Sequence, residues 1–300
     1  MSFEDDLPVT ERSNPASVDL DRLTTAQVVE LINAQDAQVA AAVQAALPDI
    51  VRAVDLIAAR LGAGGRVIYV GAGTSGRIGL LDAAEWGPTF GSPVGMVRTI
   101  IAGGPGAAVE VAADVEDAAE LGAADLAARD VSARDVVVGI TASGRTPYVL
   151  GALRAAREIG AATVSIACNP NSPIGSLSDV AIVAVTGAEI IAGSTRMKAG
   201  TAQKLILNMI STAVNVKLGK VFGNLMVDVQ PLNTKLLERA RRIVAEAAGV
   251  APDDAAKLLA AAGGSVKAAI VMAATGADLA EAQRRLDRAG GFVRAAIEGR

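Results

Sequence analysis

Hydrophobic positions change period along this chain. Up to about Leu61 they recur at helical spacing. Leu23-Thr24-Thr25-Ala26-Gln27 opens a helix with Val28, Leu31 and Ile32 among its apolar positions. A second helical run covers 37–61, with Pro48 as a break or a helix start. Gly62-Ala63-Gly64-Gly65 ends this stretch, and short continuous apolar runs follow at 67–70, 97–101, 136–140, 163–167 and 180–185. Ala-rich helical segments lie between and after them, at about 77–85, 108–128, 147–159 and 198–218. Near-continuous apolar strands alternating with helices predict an α/β fold, a doubly wound parallel sheet covered on both faces. From about Val250 three short helical repeats are split by Gly263-Gly264 and Gly290-Gly291, and Gly276-Ala277-Asp278 reads as a capped helix start. The expected layout is an N-terminal helical segment (1–62) packed on a central doubly wound domain (63–245), then a small C-terminal three-helix region (246–300).

Composition narrows the chemistry. Hydrophobic residues make up 51 % of the 300 residues but aromatics only 2 %, so the core is Ala, Val, Leu and Ile, which suits helices packed closely on a parallel sheet. There are 28 basic and 32 acidic residues, a formal net charge of −4, with no basic block and no aromatic interleaving. Nucleic acid is therefore not an expected partner. Histidine is absent, which removes histidine bases, histidine triads and histidine metal ligands. The single cysteine, Cys168, can form neither an intramolecular disulfide nor a multi-cysteine metal site, which fits a reducing cytoplasm. Neither metal nor cofactor is expected. The opening MSFEDDLPVTERSNP lacks a basic and an apolar targeting region, and the longest uncharged stretch, 159–178, is interrupted by Asn, Pro and Ser. A membrane is not an expected partner either.

The most informative stretch is RVIYVGAGTSGRIGLLDAAE, residues 66–85. A strand runs into the turn Gly71-Ala72-Gly73-Thr74-Ser75-Gly76, then into a helical segment that ends at Glu85. This order presents backbone N–H groups and hydroxyls to a phosphate-sized anion. A near-copy follows the 136–140 run: Thr141-Ala142-Ser143-Gly144-Arg145-Thr146-Pro147, with the proline at a favoured helix-opening position. One such turn reads equally well as an ordinary strand-to-helix cap; two, each with hydroxyls and an arginine, point to anion binding. The first turn matches GxGxxG, but no strand ending in an acid follows at the ribose-binding distance, and no GK[ST] occurs. Glu85, beside Trp86 and Phe90, has two open readings: a surface glutamate, or one packed among aromatics that keeps its proton and acts as a general acid. Glu116, amid Glu110, Asp114, Asp117 and Glu120, reads on position alone as part of a solvated acidic face. Gly193-Ser194-Thr195-Arg196-Met197-Lys198 gathers hydroxyls and cations before an apolar helix and again suits an anion, with Ser194 and Lys198 as candidates.

GAGTSGR, DAAE with PTFG, DVVVGITASGRTPYV, CNPNSP, GSTRMKAGTAQKLILNM and GKVFGNLMVDV, with the opening TERSNP and the terminal GGFVR, closely resemble the N-acetylmuramic acid 6-phosphate etherase family over almost the whole chain. The resemblance implies a sugar isomerase (SIS) domain that binds a phosphosugar through Ser/Thr-rich loops, a small helical C-terminal region, and a homodimer. It implies cleavage of the D-lactyl ether of N-acetylmuramic acid 6-phosphate to N-acetylglucosamine 6-phosphate and D-lactate. Glu85 matches the family's proton donor and Glu116 its second catalytic glutamate. By the same resemblance Thr74, Ser75, Gly76, Ser143, Gly144, Arg145 and Thr146 belong to the phosphate site, and whether the arginines touch phosphate or pair internally stays open. The chain departs from the family in having Trp86-Gly87-Pro88 where Cys-Pro-Pro is frequent, and Ala113-Asp114-Val115 in place of Glu-Gly-Ala before Glu116. Three other readings share these features: a phosphosugar isomerase, a non-catalytic phosphosugar-sensing regulator, and a dinucleotide-dependent dehydrogenase.

Overall fold

A computed structural model describes residues 7–110, 115–229 and 234–299. Ala113 and Asp114 lie outside the described residues. The backbone groups into two compact units: one contains the described residues up to Ala83 together with Gly95–Ser211, the other Ala84–Val94 together with the chain from Thr212.

In the first unit, helix α1 (Thr25–Asp36) starts where the sequence predicts, with Thr24 and Gln27 exchanging hydrogen bonds in a capping box. Helices α2 (Val39–Ala45) and α3 (Leu47–Gly62) divide the second helical run, and Pro48 sits in the first turn of α3, where its missing N–H has no partner to lose. Then come β1 (Val67–Gly71), α4 (Gly73–Phe90), β2 (Val97–Ile101), α5 (Ala119–Ala127), β3 (Val136–Ile140), α6 (Pro147–Ile159), β4 (Ala162–Ala167), β5 (Val180–Val183) and α7 (Lys198–Lys217). The five strands form one parallel sheet in the order β2-β1-β3-β4-β5.

Alternation along the strands divides the core. Ile68 and Val70 of β1 and Val137 of β3 pack with Leu126 of α5 and with Tyr148, Val149, Ala152 and Leu153 of α6. The intervening residues face the other way: Tyr69 and Ile140 lie against α4 at Gly79, where a Cβ would come 3.3 Å from Tyr69 Cβ and 3.0 Å from Ile140 Cδ1. On that face the Tyr69 hydroxyl donates to Asp82 (2.9 Å), whose other oxygen accepts from Asn208 (2.8 Å) and Ser211 (2.9 Å) of α7. Both faces are covered, as the apolar strands require.

Three elements differ from expectation. Helix α4 begins at Gly73, so Thr74 and Ser75 form its first turn, and it continues past Glu85 to Phe90. Pro88 is accommodated because it falls in the last turn, where it removes a single helical bond. The segment expected to be helical over 108–128 gives a 3₁₀ turn at Pro105–Ala108 and then α5 from Ala119. Glu116 stays outside the helix because its carbonyl accepts from the Tyr148 N–H (3.0 Å) at the start of α6. The expected C-terminal helical region is present, with four helices instead of three among the described residues: Gly276, at φ +69°, ends one of them, and Asp278 caps the next by accepting from the Glu281 N–H, the start that Gly276-Ala277-Asp278 predicts.

The second unit contains the hairpin strands β6 (Val221–Phe222) and β7 (Leu225–Met226), then α8 (Thr234–Ala248), α9 (Pro252–Ala261), α10 (Val266–Thr275), α11 (Leu279–Arg288) and α12 (Val293–Glu298). Ile243 and Val244 of α8 share a core with Leu259 of α9, Ile270 and Val271 of α10, Leu286 of α11 and Val293 of α12. Asp228 bridges Lys220 (2.7 Å) and Lys267 (2.9 Å). Among the described residues no single helix is long and apolar enough to cross a membrane; α9 and α10 together pass by length and composition but meet at 109° and fill this core.

At the amino-terminal edge of the sheet, buried Asp135 binds the strand starts together. It accepts from the Arg66 backbone N–H (2.8 Å), Arg66 Nη2 (2.8 Å) and the Ser132 N–H (2.8 Å). Burial pushes the Asp135 carboxyl upward, but the Arg66 guanidinium and the two amides outweigh it and hold the carboxyl below its ordinary value. A lowered folded value means stability that is present above the ordinary carboxylate pKa, about 3.9, and lost as pH falls through the lower folded value. Replacing Asp135 by Ala leaves Arg66 and two amides without their acceptor and is expected to lower the unfolding free energy by about 2–4 kcal/mol at pH 7. Urea titration checks this, and the difference from the parent should shrink in acid.

Candidate active site

Strand β1 lies between β2 and β3, so the strand order reverses beside it. The chain leaves β1 into α4 on one face and leaves β3 into α6 on the other, and a crevice opens at their carboxyl ends where such sheets bind ligands. A cavity of about 380 Å³ occupies this place. Thr74 and Ser75 line it from the first turn of α4, Thr141, Ser143, Arg145 and Thr146 from the β3–α6 turn, and Glu116 and Asp117 from the segment before α5. The first amides of a helix have no partner within it, and the helix dipole adds partial positive charge there. The cavity thus combines N–H groups with hydroxyls, the chemistry of an anion site.

The hydroxyls are held in place before any ligand arrives. Thr141 Oγ1 contacts Thr146 Oγ1 (2.8 Å) and Ser143 Oγ (3.2 Å), and Ser143 Oγ accepts from the Arg145 N–H (3.1 Å). Gly144 makes the turn possible: its φ is +69°, and a Cβ there would collide with Ser172 Oγ.

Glu116 is placed by helix packing. Helices α5 and α6 approach so closely that a Cβ on Gly122 would collide with the Tyr148 carbonyl, and one on Gly151 with the Ala119 carbonyl. With α5 set against α6, the Tyr148 N–H fixes the Glu116 backbone beside the cradle. The Glu116 and Asp117 side chains are exposed to solvent.

The N-terminal segment closes another wall. Buried Asn169, just beyond β4, accepts from the Thr10 N–H (3.2 Å) and donates to Thr10 Oγ1 (2.8 Å) and the Ala142 carbonyl (3.0 Å). Asn14 and Ser17 donate to the carbonyls of Ala188 (3.1 Å) and Ile190 (2.7 Å). Between these anchors Glu11 lines the cavity, as does Thr195.

Comparison with known proteins agrees with this geometry. Residues 49–157 match the glucokinase regulatory protein N-terminal SIS domain family, and residues 110–213 match the SIS domain family. An N-acetylmuramic acid 6-phosphate etherase of Salmonella agona (strain SL483) is 53 % identical over 290 residues, 97 % of this chain and 98 % of its own length. The etherase of Salmonella typhi matches to the same extent. The chain belongs to the N-acetylmuramic acid 6-phosphate etherase family. Among solved structures, a phosphoheptose isomerase from Francisella tularensis superposes with a TM-score of 0.50 over 65 % of this chain and 100 % of that one, at 17 % identity, a likeness of fold.

Of the residues that the family resemblance singles out, Thr74, Ser75, Ser143, Arg145, Thr146 and Glu116 line the one cavity. Gly76 and Gly144 act through the backbone: a Cβ on Gly76 would meet Ile101 Cγ1 at 2.6 Å. Arg77 pairs internally, with the carbonyls of Ala107, Ala108 and Glu110. Lys198 is buried, and its Nζ donates to Gln35 Oε1 (3.0 Å). Burial lowers its pKa, against the opposing charges of Glu189 and Asp36. The anion-binding end of α7 is already taken, since the fully buried Glu189 carboxylate accepts from the N–H groups of Lys198 (3.0 Å) and Ala199 (3.0 Å). Ser194 is half-buried in the loop before α7. Glu85 belongs to the second unit and is exposed, next to buried Trp86. Thr141, Asp117 and Thr195 lie in segments that the sequence marks without being singled out as site residues, and no local pattern places Glu11 at the cavity. Among the described residues no group of three or more His, Cys, Asp or Glu side chains is placed to hold a metal ion.

Two outcomes follow. Gly144→Ala should lower stability by about 1–3 kcal/mol, from a side chain forced to positive φ and into Ser172, and should weaken inorganic phosphate binding by displacing Ser143; urea titration and phosphate calorimetry read the two effects. Burial, reinforced by the Glu189 charge, pushes the Cys168 thiol up to about 12, so iodoacetamide at pH 8 should leave the native chain unlabelled and alkylate it once after denaturation.

Proposed function

We propose that this chain is a lyase that cleaves the D-lactyl ether of N-acetylmuramic acid 6-phosphate with net addition of water, giving N-acetylglucosamine 6-phosphate and D-lactate. The observation that carries the reading is the cleft, in which Glu116 and the hydroxyl cradle line one cavity, in a chain 53 % identical to proteins named for this reaction.

The 6-phosphate is held by Ser75, Ser143 and Thr146 with the first amides of α4, and this binding energy, remote from the reacting bond, positions C2 and C3. In the ring-opened sugar the C2 proton is acidified by the C1 aldehyde. Glu116 removes it as general base; the C2–H electrons form the C2=C3 bond, and the C3–O bond breaks. Glu85 donates its proton to the departing lactate oxygen. Water then adds to C3 of the unsaturated aldehyde and a proton returns to C2, the two carboxyls exchanging roles. The reaction needs a base, an acid and a phosphate anchor, and none of these has to be histidine. The enzyme works in the cytoplasm, which the lone cysteine fits, and as a homodimer, which the family resemblance implies; exposed Leu80 and Leu81 of α4 and Val109 supply apolar surface for a second copy.

Glu85→Gln is expected to abolish D-lactate release while N-acetylglucosamine 6-phosphate still binds; near-normal turnover would remove Glu85 from the acid role. In deuterated water the product should carry deuterium at C2, and unlabelled product would rule out elimination. A phosphosugar isomerase would interconvert aldose and ketose phosphates and release no lactate.

A further inference from the structure

A second cavity of about 230 Å³ adjoins the cleft. Ala72, Gly73, Thr74 and Glu116 line both, so the two adjoin along these residues and Glu116 borders each. Their chemistry differs. The hydroxyls of Ser75, Thr141, Ser143 and Thr146 belong to the first alone, whereas Arg77, Ala102, Ala107 and Glu110 complete the second. Its walls are the methyls of Ala72, Ala102 and Ala107 and the Arg77 guanidinium, with Thr74, Glu110 and Glu116 also in the lining.

Arg77 is half-buried and tied down from one side. Its Nε donates to the carbonyls of Ala107 (3.2 Å) and Ala108 (3.2 Å), and Nη2 donates to the Glu110 carbonyl (3.0 Å). Those acceptors are neutral. They fix the plane of the guanidinium without compensating its charge, and Arg77 makes no ion pair among the described residues. Glu110 and Glu116 also line this cavity, but both are exposed, so water screens their charges. A fixed, uncompensated guanidinium among methyl groups suits a small carboxylate with a short apolar branch.

We propose that this second cavity receives the three-carbon acid of the ether, its carboxylate on Arg77 and its methyl among Ala72, Ala102 and Ala107. The inference rests on the reading of the preceding subsection. With the phosphate in the cradle and the base at the border of the two cavities, C2 lies at Glu116 and the substituent on C3 crosses into the second cavity. Departing lactate is then left in a compartment distinct from the one that holds the sugar phosphate. Arg77 becomes the residue that selects lactyl ethers over sugar phosphates lacking the acid.

The test uses the full chain and three variants, Arg77→Met, Arg77→Lys and Ala107→Leu, the last filling the second cavity without changing the arginine. Turnover of N-acetylmuramic acid 6-phosphate, inhibition by D-lactate, and calorimetric binding of N-acetylglucosamine 6-phosphate are measured for each. Arg77→Met should lose about tenfold or more in kcat/KM, chiefly through KM, as expected for one charge-assisted pair. It should also lose inhibition by D-lactate, while N-acetylglucosamine 6-phosphate affinity stays within about twofold. Arg77→Lys should recover part of the loss, and Ala107→Leu should show the same split even where Arg77→Met fails to fold. Unchanged KM and lactate inhibition in Arg77→Met and Ala107→Leu would overturn the proposal. So would product affinity that falls in step with lactate inhibition, since Arg77 would then only support the loop. A parent chain that binds N-acetylglucosamine 6-phosphate but releases no D-lactate would overturn the etherase reading itself, and this inference with it.

Discussion

All five strands of the central sheet run the same way, and the rest of the first unit follows from that constraint. A parallel strand cannot be joined to its neighbour by a tight turn. The chain must leave at the carboxyl edge and return over one face to start again at the amino edge. Every strand-to-helix turn therefore opens on one side of the sheet. The β1–α4 turn, the β2–α5 segment with Glu116, the β3–α6 turn and the β5–α7 loop with Thr195 all meet there, though 124 positions (195 − 71) separate the first from the last. The reversal of strand order beside β1 then sends α4 and α6 to opposite faces, so their amino ends face a shared gap.

Glu116, the base of the proposed reaction, and the hydroxyl cradle depend on one support. The β3–α6 turn carries Ser143 and Thr146, and the first turn of α6 supplies the Tyr148 N–H that holds Glu116. The contact at Gly122 and Gly151 sets α5 against that same helix. The phosphate anchor and the proton acceptor of the proposed reaction are thus both positioned by the amino end of α6, and a displacement of α6 would move both together. For a reaction whose rate depends on placing C2 against a carboxylate, such coupling lowers the orientational freedom that the bound substrate has to lose.

The strands and the cradle were legible in the sequence because they rest on local signals: continuous β-branched runs, a Ser-Gly-Arg turn twice repeated, and Pro147 at a helix start. Thr141 stands in the second of these turns without being singled out, because only the fold reveals that its hydroxyl joins Thr146 to Ser143. Glu11 and Asn169 were invisible for a different reason. Thr10, the residue before Glu11, is joined to Asn169 by hydrogen bonds across 159 residues of chain, and no periodicity records such a contact. Lys198 shows the converse error. A cation beside hydroxyls at a helix start looks like an anion site, but Glu189, nine residues earlier, already fills it from within. The α8 pattern, with Leu236, Leu237, Ala240, Ile243 and Val244 at helical spacing, was available but unread, and the two-residue strands β6 and β7 are too short for any pattern to register.

Chemistry without histidine places a particular demand on such a site. A carboxylate in water is a weak base, with a conjugate acid near pKa 4.3 for glutamate, and the proton at C2 of an aldehyde is far less acidic than that. Glu116 is exposed in the free chain, so the substrate itself has to change its surroundings. A phosphosugar that fills the cleft from the cradle to Glu116 displaces the water on that carboxylate, and in the drier cavity the attraction between carboxylate and proton strengthens. The phosphate also adds negative charge nearby, which favours protonation of neighbouring carboxyls. On the proposed reaction, ligand binding and activation of the base are therefore one event. The hydroxyl cradle, which touches neither C2 nor C3, contributes to catalysis by holding the group that brings that event about.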